Sequence, residues 1–214
     1  ISFKNINSKK NIIFSNEFVD YYNKFNIFKN SSFFKFKYLV NRFIDFKFID
    51  KHANYIVLFD VPPKILTTLH FSQIDEYHSY QNSKKFLKDI VKIITDINST
   101  LKHPIMIYLK SKSKSIYIDE RYSNLINLIS KKNIYFKVIY EVNIIELIKN
   151  SKLTISIPWS SPSIYADNLN IKSAYYDPSG MLLKSNYINN KIHFLKSFES
   201  LNNFLFDFMK NLDI

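Results

Sequence analysis

Ser160, Ser161 and Ser163 follow an apolar run ending in Pro158–Trp159 and are interrupted only by Pro162. This is the spacing of a strand that turns directly into a helix. Ser161 suits the N-cap, where a hydroxyl accepts from a backbone N–H, and Pro162 suits the first helical position, where a missing N–H costs nothing. A helix start presents N–H groups at the positive end of its dipole, a ready site for phosphate. The hydroxyls of Ser160, Ser161 and Ser163 would add up to three donors to the same anion. The plainer alternative is an ordinary capped helix.

Other residues with chemical potential also stand just after apolar runs. Lys110 closes "IMIYLK", with Lys112 and Lys114 at alternate positions beyond it. An ammonium there is a good point-charge partner for a mono- or diphosphate, and a solvated basic loop is the alternative for Lys112 and Lys114. Glu141 follows "IYFKVIY" and can accept two ribose hydroxyls, a common use of a carboxylate at that place in nucleotide-binding sheets. Asp60 follows "YIVLF" and is the one candidate catalytic residue. It can orient a substrate hydroxyl, act as a base, or simply form a turn. Asp177, with Pro178 and Gly180, reads as a turn former. His103–Pro104 precedes its strand, at the wrong end of a sheet to meet a ligand, and His52, His70, His78 and His193 share no metal spacing with carboxylates. No metal or other cofactor is expected.

These residues need a scaffold, and the periodicities supply one. Buried-strand runs fall at Tyr55–Asp60, Ile105–Lys110, Ile134–Tyr140, Leu153–Pro158 and Lys172–Asp177. Between them lie amphipathic segments. Phe86, Leu87, Ile90, Val91 and Ile94 share one helical face. Glu120–Lys131 forms a second helix, Asn143 caps a third with Glu146 and Asn150 near its two ends, and Pro162–Leu169 forms a fourth. A short "KIHFL" and a closing helix from Phe198 end the chain. Strand–helix alternation predicts an α/β fold with a doubly wound, mainly parallel sheet, in which ligands bind beyond the carboxyl ends of the strands. Residues 1–50 do not join the alternation. Their dense aromatics suit core packing or an interdomain face better than a cofactor box. The expected division therefore falls at residues 1–50 and 51–214, the second being the doubly wound domain.

Composition sets the outer bounds. With 214 residues, 46% of them hydrophobic and 22% charged, the chain can build a core. It has no cysteine, which excludes disulfides and thiolate chemistry. No run reaches the roughly 18 apolar residues of a membrane span. The chain begins with Ile and carries no visible signal peptide, so the expectation is the C-terminal part of something longer. The net charge of +12 comes almost wholly from lysine; Arg42 and Arg121 are the two arginines. Nucleic-acid recognition favours the arginine fork, so a nucleic-acid partner is not expected, whereas a phosphorylated substrate or an anionic membrane surface is.

The window from Thr154 to Gly180 departs from the Ile/Lys/Asn monotone of the rest. It holds the one Trp, the one Gly and three of the six prolines. "ISIPWSSPSIYADNLNIKSAYYDPSG" resembles the signature of the surface-polysaccharide biosynthesis proteins named for a Pro-Phe-Thr-Ser motif. Pro158, Trp159, Ser160 and Ser161 occupy the motif, with Trp for Phe and Ser for Thr, and "YYDPSG" ends the following strand. "IVLFDVPP" and "EYHSYQNSKKFLKDIV" resemble the family's first strand and helix. Lys110 and Lys112 resemble its lysine-bearing strand end, without the proline between them. The resemblance runs from about Tyr55 to the C-terminus.

The resemblance implies the nucleotide-sugar-binding half of a GT-B-type glycosyltransferase, with 51–214 its Rossmann-like nucleotide-sugar-binding domain and 1–50 a remnant of the acceptor-binding N-terminal domain or interdomain helices. The expected reaction is transfer of sugar from an activated nucleotide to a growing surface glycan on the cytoplasmic face of the membrane, and the positive charge adds peripheral contact with an anionic membrane as an expectation. Serine-rich helix starts are similar to those of sialyltransferase-like folds, which tilts the donor toward a cytidine monophosphate sugar. The alternatives are a nucleotide-sugar epimerase of similar architecture and a non-catalytic module that binds an anionic glycan or a membrane.

Overall fold

In a computed structural model, residues 54–63, 77–111, 118–140, 142–158, 160–182 and 191–212 are described in full, with backbone strands at 10–13 and 32–35. The two early strands, β1 (Lys10–Ile13) and β2 (Ser32–Lys35), pair in parallel with each other.

The remaining strands form one six-stranded parallel sheet: β3 (Tyr55–Phe59), β4 (Met106–Lys110), β5 (Phe136–Ile139), β6 (Leu153–Ser156), β7 (Ser173–Tyr176) and β8 (His193–Leu195). Their spatial order is β5-β4-β3-β6-β7-β8. The chain thus winds outward from β3 to one edge, returns to β6, and winds outward to the other, the strand order of a dinucleotide-binding fold. The five expected strands are all present. "KIHFL" contributes a sixth, parallel to β7 through Ala174↔His193.

Helices cover both faces. Alternation along β3 sends Ile56 and Leu58 to one side and Tyr55, Val57 and Phe59 to the other, and every one of them is buried, as a central parallel strand requires. The first side packs against α1 (Tyr80–Asn98), α2 (Glu120–Lys132) and α5 (Phe198–Lys210). In α1 the predicted stripe is observed: Phe86, Leu87, Ile90 and Ile94 are buried and Val91 packs at the margin. The second side packs against α3 (Ile144–Lys149) and α4 (Ser161–Asn168) through Leu147, Ile148, Tyr165 and Ala166. Each such apolar side chain contributes about 1.5–3 kcal/mol when fully buried, so the sheet is held from both sides.

Local signals set the joints. Ser79 caps α1, Asp119 caps α2, Asn143 accepts from the N–H groups of Ile145 and Glu146 at the start of α3, and Ser197 forms a capping box with Ser200 on α5. At the far end of α1 the buried Asn98 amide pairs with both the N–H and the carbonyl of Ile105, each at 2.9 Å, and so delivers the chain into β4. No helix among the described residues is long and apolar enough to cross a membrane.

Candidate active site at the strand-order reversal

The order reverses between β3 and β6, and the two strand ends open the crevice there. Phe59 is in register with Ser156, and the Ile157 N–H donates to the Phe59 carbonyl at 3.0 Å. Asp60, the next residue on β3, therefore sits beside Ile157 at the head of the crevice, 5% exposed. Pro62 and Pro63 then stop the ladder, because neither can donate an N–H. The Val61 carbonyl accepts from Ser83 of α1 and the Pro63 carbonyl from the N–H of Asp119, so the chain leaving β3 is tied to two helix starts.

On the β6 side the strand gives way to α4 within four residues. Ser160, with φ −96° and ψ 145°, is the N-cap, so Ser161 is the first helical residue and Pro162 the second. The expected frame thus shifts back by one. The Ser160 hydroxyl does not cap: it turns back and donates to the Ile157 carbonyl at 2.6 Å. The Ser160 carbonyl is held in turn by the Tyr175 hydroxyl at 2.9 Å. No side chain caps the first turn of α4, whose N–H groups have no carbonyl one turn back. Of these, the N–H of Ser161 lies at the exposed mouth, at the positive end of the helix dipole, where an anion can meet it; Pro162 has none, Ser163 is buried, and the Ile164 N–H closes the first turn on the Ser160 carbonyl.

Among the three serines the roles separate. Ser161 is exposed at the mouth and Ser160 is half-buried. Ser163 is fully buried: its hydroxyl lies 2.6 Å from that of Ser156 and donates to the Ala174 carbonyl, while Ser173 donates to the Ser163 carbonyl. The expectation that the Ser163 hydroxyl faces the anion is thereby corrected. Small hydroxyl residues at 156, 163 and 173 let α4 lie close on the sheet with each of these hydroxyls paired, and the fully buried Ser163 serves that packing rather than a ligand. Pro158 is buried beneath the turn and shapes it without offering a polar group.

Lys110 ends β4 and stands half-buried. Alternation puts it on the same side of the sheet as Tyr108, which packs in the layer beneath α3 and α4. Two strand spacings, about 9–10 Å, separate β4 from β6 across β3. The ammonium donates to the Ser111 carbonyl at 2.7 Å, and burial lowers its pKa below the ordinary lysine value. A partly desolvated cation and an uncapped helix start thus share one side of the crevice. Lys112, Glu141 and Trp159, and with them Lys114, lie outside the described residues.

The residue that sequence reasoning missed is Tyr175. Three consecutive residues at the end of β7 each grip a different element. Tyr175 holds Ser160, Tyr176 donates to Asp89 of α1, and the fully buried Asp177 accepts from Tyr77 at 3.0 Å. Asp177 also accepts from the N–H and hydroxyl of Ser179 and from the N–H of Leu182, and so shapes the turn in which Gly180 adopts φ +70°. Burial and the neighbouring carboxylates push the pKa of Tyr77 and Tyr176 well above the usual tyrosine value, which keeps both hydroxyls as donors. The signal for Tyr175 was present in "SAYYD", whose alternation sets Tyr175 opposite Ala174 and Tyr176.

Comparison with solved structures gives distant similarities. A Listeria monocytogenes structure described as a UDP-N-acetylglucosamine 2-epimerase aligns at a TM-score of 0.45 and 7% identity, covering 74% of this chain and 37% of that one. The Methanocaldococcus jannaschii UDP-GlcNAc 2-epimerase, in complex with UDP-GlcNAc and UDP, aligns at 0.44 and 14%, covering 74% and 39%. The chain spans less than two-fifths of either. No curated protein matches the sequence. The family profile of the polysaccharide biosynthesis PFTS motif proteins matches residues 4–205, reaching well before Tyr55, where the resemblance of the motifs began. With Pro158, Ser160 and Ser161 of that motif forming the turn into α4, the chain belongs to this family of polysaccharide biosynthesis proteins.

Proposed function

We propose that the chain is the nucleotide-sugar-binding half of a glycosyltransferase of surface polysaccharide synthesis. Residues 51–214 would hold the donor, and residues 1–50 would belong to the acceptor-binding side. The observation that carries this reading is the uncapped start of α4 facing the same crevice side as Lys110. In the transfer, an acceptor hydroxyl attacks the anomeric carbon, the bond from that carbon to the phosphate oxygen breaks, and negative charge develops on the departing phosphate. The Ser161 N–H and hydroxyl and Lys110 are suited to stabilise that charge. Asp60, at the head of the crevice, is the candidate to orient or deprotonate the incoming hydroxyl. Glu141 is the candidate for the ribose, Lys112 a second cation for the phosphates, and Trp159 a face for base or sugar. A cytidine monophosphate donor remains the favoured choice, and no metal is required by these groups.

A substitution at Ser161 tests the anion site against mere helix capping. Ser161→Asp places a carboxylate in the first turn, which the helix dipole favours by about 0.3–1 kcal/mol, yet the same charge repels a phosphate. The variant should melt no lower than wild type and bind nucleotides at least tenfold more weakly in calorimetry across cytidine, uridine, guanosine and thymidine nucleotides. Unchanged affinity would remove the site, and no binding by wild type would remove the reading.

A further inference from the structure

Lys110 is set apart from the other lysines by where it stands. Among the lysines described in full, Lys84 and Lys110 alone are half-buried, and the rest are exposed. Lys84 belongs to α1 and lies against a ring, its ammonium 5.7 Å from the centroid of Tyr80. Lys110 closes β4 and makes no ion pair among the described residues; its ammonium has only a neutral acceptor, the Ser111 carbonyl, at 2.7 Å. Burial without a counter-charge disfavours the ammonium and favours the neutral amine, which is why the pKa falls below the ordinary lysine value. The neutral amine is the nucleophilic form of lysine.

The crevice also supplies what brings an electrophile to that amine. The start of α4, beyond β6, lies two strands away on the same side of the sheet, and its exposed Ser161 N–H stands at the positive end of the helix dipole. The flexible four-carbon stem of lysine lets the amine leave the Ser111 carbonyl and turn toward that start. A small molecule with a phosphate at one end and a reactive carbonyl at the other would meet an anion site and a nucleophile together. Acyl phosphates have that structure.

We propose that Lys110 is a site of acylation by acyl phosphates, and that the modification takes the cation out of the crevice. The ammonium first gives one proton to water. The Nζ lone pair then attacks the acyl carbon, an N–C bond forms, and the bond from that carbon to the phosphate oxygen breaks. Phosphate departs with the electron pair and accepts the surplus proton of the amine, leaving a neutral amide. The Ser161 N–H that meets the incoming phosphate also faces the charge developing on the departing one. Acylation removes the charge of Lys110 and with it a phosphate partner. A nucleotide phosphate and an acyl phosphate thus compete for one place, so an occupied crevice is protected and an empty one is silenced. The silencing rests on the nucleotide reading of this crevice; the reactivity of Lys110 does not.

The test follows acetylation of the whole chain by acetyl phosphate, with peptide mass spectrometry to rank the lysines. Lys110 should react about tenfold faster than the exposed Lys102 and Lys152. Ser161→Asp, whose carboxylate repels phosphate, should slow Lys110 about fivefold with acetyl phosphate yet leave its rate with the uncharged ester N-acetoxysuccinimide unchanged. Lys110→Gln carries a neutral amide like that of the modified residue; it should keep its fold by circular dichroism and bind nucleotides about tenfold more weakly. Labelling that follows exposure alone, or that ignores Ser161→Asp, overturns the proposal. Selective, Ser161-dependent labelling of a chain that binds no nucleotide upholds the acylation site and removes the nucleotide reading. Nucleotide binding without selective labelling does the reverse.

Discussion

The Tyr175 hydroxyl donates to the Ser160 carbonyl at 2.9 Å, so a residue of β7 fixes the cap from which α4 starts. The neighbouring Tyr176 hydroxyl goes the other way through the sheet, to Asp89 and Lys85 of α1. Two adjacent tyrosines thus serve opposite faces, and their phenylalanine variants should separate site geometry from stability.

Tyr175→Phe removes a neutral hydrogen bond, worth about 0.5–1.5 kcal/mol net. If α4 receives a nucleotide phosphate, loosening its cap should lower affinity about three- to tenfold. Tyr176→Phe removes a bond to a carboxylate, worth about 1.5–3 kcal/mol, and should lower stability by that order while leaving affinity unchanged. Urea unfolding and nucleotide calorimetry on the two variants check this; a larger affinity loss in Tyr176→Phe would refute it.

Gly180 is the one position where the backbone demands glycine. At φ +70° an L side chain costs roughly 1–2 kcal/mol, and a Cβ would also lie 2.9 Å from the Lys196 carbonyl. Gly180→Ala should therefore lower the urea midpoint by more than the left-handed cost alone. A variant as stable as wild type would mean that the 177–182 turn relaxes freely.

Tyr122 offers the opposite sign. Its ring is buried in the core under α2, while its hydroxyl finds no hydrogen-bond partner among the described residues. Leaving such a group dry costs about 1–3 kcal/mol. Tyr122→Phe should be neutral or stabilising in thermal melts, in contrast to Tyr176→Phe; a loss of stability would show that the hydroxyl is satisfied.

Alkaline pH should act through Tyr77 and Tyr176, whose pKa values rise on folding, chiefly by burial and then by Asp177 and Asp89. Above the ordinary value of 10.0 the unfolded chain loses these protons and the folded chain keeps them, so stability falls as pH rises through that point and is intact below it. Fluorescence-monitored unfolding from pH 8 upward should show a flatter alkaline limb in Tyr77→Phe than in wild type. Equal slopes would leave that hydroxyl out of the transition.

Much of this fold was legible because buried parallel strands write unbroken apolar runs and α1 writes a clear 3.6-residue stripe. The strand order was not, since which strands lie side by side is decided by crossovers and not by local sequence. β8 escaped as a strand because three residues carry too little pattern. The N-cap of α4 was misplaced by one because Ser160 and Ser161 have equal chemistry. The choice is made by the Tyr175 bond, which spans fifteen residues. Ser163 was misread for a related reason: a hydroxyl in sequence does not announce which way it points, and here the sheet contacts of Ser156 and Ala174 claim it.

The run Tyr175–Tyr176–Asp177 leaves β7 no freedom of alignment. Sliding that strand by one residue would swing Tyr175 toward α1 and Tyr176 toward α4, severing all three grips at once. A single-residue insertion or deletion in the 169–172 turn that propagates into the strand should thus be far less tolerated than a substitution there. The segment behaves as a ratchet tooth that seats at one notch or not at all.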